Sequence, residues 1–265
     1  MSARRFFRKL AGRKITGLYQ LSTPDIHRRV LDAIESAGQK LSGKCLDIGS
    51  GGGQLLRLVA ARYGLTPFAC DFIEGLNQTP GQKVELVDLN RDNLPYPDDH
   101  FGLVTCVETI EHLENFRALI REIYRVLKPG GLAVISTPNV LNLRSRFRYF
   151  SSGFYNLFGP LAAEEGRVPG PRGHITPVNW FYLAHALQSA GFQNLRPTVD
   201  KYQRRSVPAF VLLALPIHVM NWRVRRRDAE KYKTLNDKNR PVVRLMNSRD
   251  LLLGRTLIVT ATKPV

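Results

Sequence analysis

Apolar residues along this chain fall in short runs, separated by stretches with helical spacing. The runs at 44–48, 66–70, 83–87, 103–107 and 132–136 have strand length and are rich in Val, Ile, Leu and Cys. Between them, 54–62 and 113–127 place apolar residues at helical steps. Leu113, Phe116, Ile120, Ile123 and Leu127 form one stripe, while Arg117, Arg121 and Arg125 face elsewhere. Pro129-Gly130-Gly131 is expected to stop the second helix and turn the chain into the next strand. Alternation of this kind predicts an α/β fold with a parallel sheet covered on both faces.

Length and composition narrow the class. The 265 residues suit one large domain or one domain with insertions, and 43% hydrophobic with 23% charged residues is globular composition. No run of about 18 apolar residues predicts a conventional transmembrane helix. Cys45, Cys70 and Cys106 all fall in predicted strands and read as small buried hydrophobes. Without a disulfide framework or a secretory signal, a reducing, cytoplasmic location is expected.

The formal charge of +17 is unevenly spread. Residues 1–43 carry +6, 44–137 carry −3, 138–199 carry +4, 200–250 carry +8 and 251–265 carry +2. An acidic chemical module therefore sits among basic segments that call for an anionic partner, either nucleic acid or a membrane surface.

The first strand runs into Asp47-Ile48-Gly49-Ser50-Gly51-Gly52-Gly53-Gln54 and then directly into a helix. A dinucleotide fingerprint needs glycine at position 54 or 56, which hold Gln54 and Leu56, and a Walker loop needs a Gly-Lys-Ser/Thr ending that is missing. What remains is acidic-x-G-x-G-x-G. A carboxylate here repels a pyrophosphate but pairs with an amine, so the implied ligand is a nucleoside bearing an ammonium group. Asp71, followed by Phe72, ends the second strand where a carboxylate can accept ribose hydroxyls. Asp88 and Leu89 end the third, placed for the edge and face of an adenine.

These motifs resemble those of the Rossmann-like (class I) S-adenosylmethionine-dependent methyltransferases. Residues 94–98 (Leu-Pro-Tyr-Pro-Asp) with Phe101, and Val126-Leu127-Lys128-Pro129-Gly130-Gly131, extend the similarity. Gly102 departs from it, since the family usually has an acidic residue there. The resemblance implies a doubly wound seven-stranded sheet with its last strand antiparallel, 194–199 and 255–262 being strands six and seven. It implies S-adenosyl-L-methionine held by Asp47, Gly49, Ser50, Gly51, Gly53, Asp71, Phe72, Asp88, Leu89 and Val107.

After the fourth strand stands Glu108-Thr109-Ile110-Glu111-His112. This E-x-x-E-H pattern is similar to O-methyltransferases of ubiquinone synthesis and to those capping small RNAs. By that likeness Glu108, Glu111 and His112 would hold a divalent cation such as Mg2+, with His174 in Gly173-His174-Ile175 as a further histidine. Two other readings stand beside it: Glu108, His112 or His174 as catalytic general base without metal, or a glutamate that merely caps the next helix.

The segment 138–176 is an aromatic and basic insertion placed to cover the acceptor, and loosely resembles methyltransferases of cell-surface glycans. Residues 200–250 form a second insertion, which leaves 44–199 and 251–265 as the methyltransferase domain and 1–43 as a basic helical extension. Within 207–222, sixteen mostly apolar residues hold Pro208, Pro216 and His218, with Arg223, Arg225, Arg226 and Arg227 beyond Trp222. That run is read as too short and broken to span a bilayer. It suits either the headgroup level of anionic lipid or a core helix on the sheet edge. Residues 1–24, basic and without acidic groups, suit a membrane surface or a transit peptide.

The leading expectation is a peripheral O-methyltransferase on the cytoplasmic face of a membrane, acting on a lipid-linked or cell-envelope glycan or another membrane-borne acceptor. The rivals are an RNA ribose 2′-O-methyltransferase and a non-catalytic nucleoside-binding scaffold.

Overall fold

A computed structural model describes residues 23–161 and 173–265. Helix α1 (Pro24–Ala37) leads into β1 (Lys44–Ile48), α2 (Gln54–Tyr63), β2 (Thr66–Asp71), β3 (Val84–Leu86) and β4 (Phe101–Val107). A 3-10 turn at Ile110–His112 precedes α3 (Phe116–Val126), β5 (Leu127–Pro138), α4 (Leu143–Ser152), α5 (Trp180–Ala190) and β6 (Gln193–Val199). Then come α6 (Val207–Glu230), α7 (Arg240–Leu245), α8 (Arg249–Leu253) and β7 (Thr256–Thr262).

The strands form one seven-stranded sheet in the order β3-β2-β1-β4-β5-β7-β6. The pairs β1–β2, β1–β4, β2–β3 and β4–β5 are parallel, and β7 is antiparallel to both neighbours. Strands β1 to β5 therefore end on one edge of the sheet together with β6, and the order reverses between β1 and β4. In such sheets ligands bind beyond the carboxyl ends at that reversal.

Both faces are covered, as the pattern predicted. On one, Phe116, Leu119, Ile120, Ile123 and Val126 of α3 pack with Trp180, Leu183 and Leu187 of α5. On the other, Ile26, Val30 and Ile34 of α1 pack with Leu55, Leu56 and Val59 of α2 over Leu103, Val134 and Ile258. Each such side chain contributes about 1.5–3 kcal/mol on burial. Helix α1 is thus a structural layer of the methyltransferase domain, not part of a separate extension over 1–43; residues 1–22 lie outside the described residues. Its boundary was missed because it precedes the glycine motif and carries many charges.

Pro129-Gly130-Gly131 lies inside β5, not between helix and strand. The helix already ends at Val126, and Gly130, with a φ of 73°, forms a bulge before regular pairing with β4 resumes at Leu132; its N–H donates to the Lys263 carbonyl at 2.9 Å. The absent acidic residue at Gly102 has a steric reason, because a Cβ there would stand 2.5 Å from the Ser42 carbonyl oxygen. Arg125 of α3 donates to Glu122, to Asp98 Oδ1 and to the carbonyls of Leu94 and Tyr96, so the 94–98 motif is clamped to α3. All three cysteines are buried and unpaired, and burial pushes the Cys45 thiol up to about 12.

The second insertion departs from expectation. The run at 207–222 is not broken, for α6 continues through Pro216 to Glu230, 24 residues in all. Nor is it a core helix, since none of its side chains is buried. Among the described residues, 204–230 is the one helix long and apolar enough to cross a membrane.

Candidate active site

The glycine loop closes the carboxyl end of β1. Gly49, Gly51 and Gly53 all have positive φ, and a Cβ on Gly49 would meet Thr109 Oγ1 at 2.3 Å. A side chain at 49 is thus excluded both by backbone conformation and by space. The loop is tied to β2 through Asp71, whose Oδ2 accepts from the Gly51 N–H at 2.8 Å and whose Oδ1 accepts from the Ile73 N–H at 3.0 Å. A carboxylate offers about four lone-pair positions, so Asp71 keeps acceptor capacity for ribose hydroxyls. Ser50 is buried with an Oγ that meets no partner among the described residues. An orphaned hydroxyl inside a backbone cradle is the signature expected of a polar ligand site.

Asp47 is 3% exposed and receives a hydrogen bond from Thr105 Oγ1 at 2.7 Å. Burial pushes its carboxyl up to about 7, with the Asp71 charge adding to the rise and the Thr105 bond opposing it. Thr105 was not among the sequence candidates, because a threonine in an apolar strand carries no signal until its partner strand is known. Asp88 lies just beyond β3, not at its last residue, and its Oδ1 accepts from the Asn90 N–H at 3.1 Å. Leu89 and Val107 are buried, while Phe72 is 43% exposed at the loop after β2. All ten cofactor candidates thus lie at or just beyond the carboxyl ends of β1, β2, β3 and β4.

The turn after β4 brings together three of the four residues that the likeness implied and turns Glu108 away. Glu108 adopts a φ of 51°, a left-handed conformation that costs a non-glycine residue free energy and clusters at functional sites. Its N–H donates to Ser136 Oγ and that hydroxyl donates back to Glu108 Oε1, both at 3.1 Å. Glu108 is thereby held against β5. The groups that converge are Glu111, His112 and His174, whose ligand atoms lie within 4.8 Å of one another.

Backbone pairing makes this convergence. The N–H groups of Ile175 and Thr176 donate to the Glu111 carbonyl at 2.9 and 3.0 Å, which draws the Gly-His-Ile-Thr segment onto the turn. His112 Nδ1 lies 2.9 Å from the Gly173 carbonyl. A carbonyl only accepts, so Nδ1 carries the proton and Nε2 is left as the basic nitrogen. The two imidazoles meet edge to face at 4.8 Å, with Phe158 against His174. Burial lowers the pKa of both histidines, which are therefore neutral at pH 7. Glu111 is fully buried, and neither carboxylate oxygen makes a well-formed hydrogen bond among the described residues, the Thr137 hydroxyl alone lying near enough to favour its charge. Burial, then the neighbouring Glu108 charge, raises its pKa well above the ordinary value.

An α/β sheet of this order, with a glycine loop at β1 and acids at the ends of β2 and β3, defines the Rossmann-like class of S-adenosylmethionine-dependent methyltransferases. The "Methyltransferase domain" family matches residues 23–196, and this chain belongs to it. Among curated proteins it is similar to a demethylmenaquinone methyltransferase of Listeria welshimeri, 34% identical over 130 residues, 46% of this chain and 54% of the relative. That of Geobacillus sp. is 31% identical over 113 residues, 38% of this chain and 46% of the relative. The chain thus spans about half the length of the curated relatives it matches. Among solved structures, a SAM-dependent methyltransferase from Archaeoglobus fulgidus aligns with a TM-score of 0.55 at 19% identity, covering 90% of this chain and 93% of that one. Phosphoethanolamine N-methyltransferase 2 of Haemonchus contortus aligns at 0.51 and 18%, covering 90% and 53%.

Proposed function

We propose that this enzyme methylates a hydroxyl of a membrane-borne acceptor, a lipid-linked or cell-envelope glycan, as a peripheral protein on the cytoplasmic membrane face. The observation that carries the O-methylation is the neutral His112 with its Nε2 unprotonated, beside Glu111 and His174 at the carboxyl end of β4. A hydroxyl is a poor nucleophile until its proton is removed, and a positioned neutral imidazole accepts it. His112 takes that proton, oriented by the Gly173 carbonyl, with Glu111 and His174 beside it. Asp47, Ser50 and Asp71 with the glycine loop hold the cofactor, which supplies a methyl group on a sulfonium. Positioning of the two reactants contributes the rest of the rate.

The same three donors suit a divalent cation. Glu111 offers two unpaired oxygens and His174 an unpaired Nδ1, so the fit rests on orphaned buried groups and not on the Glu108 ligand implied by the likeness. A cation there would lower the pKa of the acceptor hydroxyl.

The test is incorporation of labelled methyl groups when the enzyme is incubated separately with membrane and RNA fractions. Label in an extractable lipid or glycan is expected, and label confined to RNA would overturn the acceptor class. Activity that survives chelation and is unchanged by added Mg2+ or Mn2+ assigns the proton to His112 alone. A function in the cell that survives Asp47→Ala would leave only the non-catalytic scaffold.

A further inference from the structure

The apolar surface of this protein is concentrated on segments that leave the sheet at the carboxyl ends of β5 and β6. After β5 comes Phe150, 91% exposed; after β6 come Val211, Leu212 and Leu215 at 74, 75 and 73%, then Trp222 at 59%. In its first 16 residues α6 is apolar round its whole circumference, apart from His218 and Asn221. A helix of that kind is normally buried in protein or in lipid, and an exposed patch of this extent marks a docking surface.

Length alone would let α6 cross a bilayer, as 24 residues rise about 36 Å against a hydrocarbon core of about 30 Å. The connections at its two ends forbid this. Just before it, the Gln203 N–H donates to the Leu253 carbonyl at 2.8 Å, and Lys201 accepts from the Arg255 N–H at 3.0 Å. Just after it, residues 231–239 return to the same domain, where Trp180 Nε1 donates to the Val242 carbonyl at 2.9 Å. A span would carry those residues back through hydrocarbon as unpaired backbone, which lipid does not tolerate. They are instead folded into turns, with the Thr234 N–H donating to the Asp228 carbonyl and Asn239 Nδ2 to the Thr234 carbonyl.

Charge selects the occupant. Arg204 and Arg205 precede the apolar stretch and four arginines follow it, against Asp228 and Glu230. Arg226 stands over the Trp222 ring at 5.9 Å, an arrangement suited to the boundary between headgroups and acyl chains. We propose that α6 is a membrane-docking helix that lies in the headgroup layer of an anionic bilayer without crossing it. Because β6 runs parallel to β1, β2, β4 and β5, α6 departs from the edge that carries the glycine loop and His112. Docking through α6 sets the acceptor crevice against the lipid. This deepens the membrane-borne part of the proposed function, and binding alone reads it out, so its failure is separable from failure of methyl transfer.

The test uses the full chain and its two tryptophans, of which Trp180 is buried at 1% exposure and Trp222 is exposed. Vesicles of phosphatidylcholine, with and without phosphatidylglycerol, carry brominated acyl chains that quench only an indole at the lipid boundary. Quenching and flotation with phosphatidylglycerol vesicles are expected. Trp222→Phe removes the quenching but not the flotation. Replacing Arg223, Arg225, Arg226 and Arg227 together by Ala lowers partitioning by on the order of a hundredfold or more, and Leu212→Glu with Leu215→Glu lowers it as well. Cofactor binding is retained in all of these variants, since α6 buries no side chain. Alkaline carbonate is expected to release the protein from cell membranes, and retention would overturn the non-crossing geometry. Absence of quenching on anionic vesicles would overturn the docking, as would burial of Trp222 in a dimer seen by light scattering or salt-sensitive capture by RNA instead of lipid.

Discussion

Replacing Thr105 with Val removes the hydroxyl that donates to Asp47 at 2.7 Å, a bond between β4 and β1 inside the cofactor site. A hydrogen bond to a charged group contributes about 1.5–3 kcal/mol, and one pKa unit corresponds to about 1.36 kcal/mol. Its loss should lift the Asp47 carboxyl, already near 7 through burial and the Asp71 charge, by about one to two units. Only the ionised carboxylate pairs with the ammonium of the cofactor, so affinity is full above the folded-state pKa and is lost as pH falls through it. The wild type should lose affinity below about pH 7, and Thr105→Val one to two units higher. At pH 7 the wild-type carboxylate is about half ionised and that of the variant about 1–10%, so the variant binds about 5–50-fold more weakly and recovers as pH rises past 9. Calorimetric titration with S-adenosylhomocysteine across that range measures this. A loss by the same factor at every pH, or no loss, would refute the assignment of Asp47 as the charged partner.

Gly49→Ala should abolish cofactor binding while the sheet stays folded, because its Cβ falls 2.3 Å from Thr109 Oγ1; adding Thr109→Ala should restore part of the binding in the same titration. Glu111→Gln should stabilise the cofactor-free protein by about 1–3 kcal/mol near pH 8, a rise of several degrees in Tm, and should abolish methyl transfer only where that transfer depends on a cation. The sign follows from the raised pKa of a buried acid: the folded state keeps a proton that the unfolded chain has lost, so stability falls as pH rises above the ordinary carboxylate range. A Tm that falls near pH 8 would mean the carboxylate is paired. Ile120→Ala, at a fully buried position of α3, should cost about 2–5 kcal/mol in urea unfolding and leave cofactor affinity of the folded protein intact.

Much of the cofactor half was legible in the chain because its information is local. A strand that ends in an acid, a glycine turn that opens a helix, and acids at the next strand ends are contiguous patterns. Their positions relative to one another follow from the handedness and short connections of βαβ units. The α3 stripe and the three buried cysteines were readable for the same reason. Pro129-Gly130-Gly131 reads alike as a helix stop or as a strand irregularity, and only the backbone bonds of Gly130 and Gly131 with Lys263 place it as a bulge inside β5.

The sequence by itself determined the sheet, the crevice and the chemical class of ligand at the glycine loop. Tertiary structure decided what lies across from what. Thr105 matters only because β4 lies beside β1. Glu108 is turned toward Ser136, while His174, sixty-two residues beyond His112, takes its place through backbone bonds to Glu111. The fate of α6 was likewise undecidable from composition, since an apolar run reads alike as core, span or surface. Its environment is set by the elements at its ends, and these hold both on one side of the same domain.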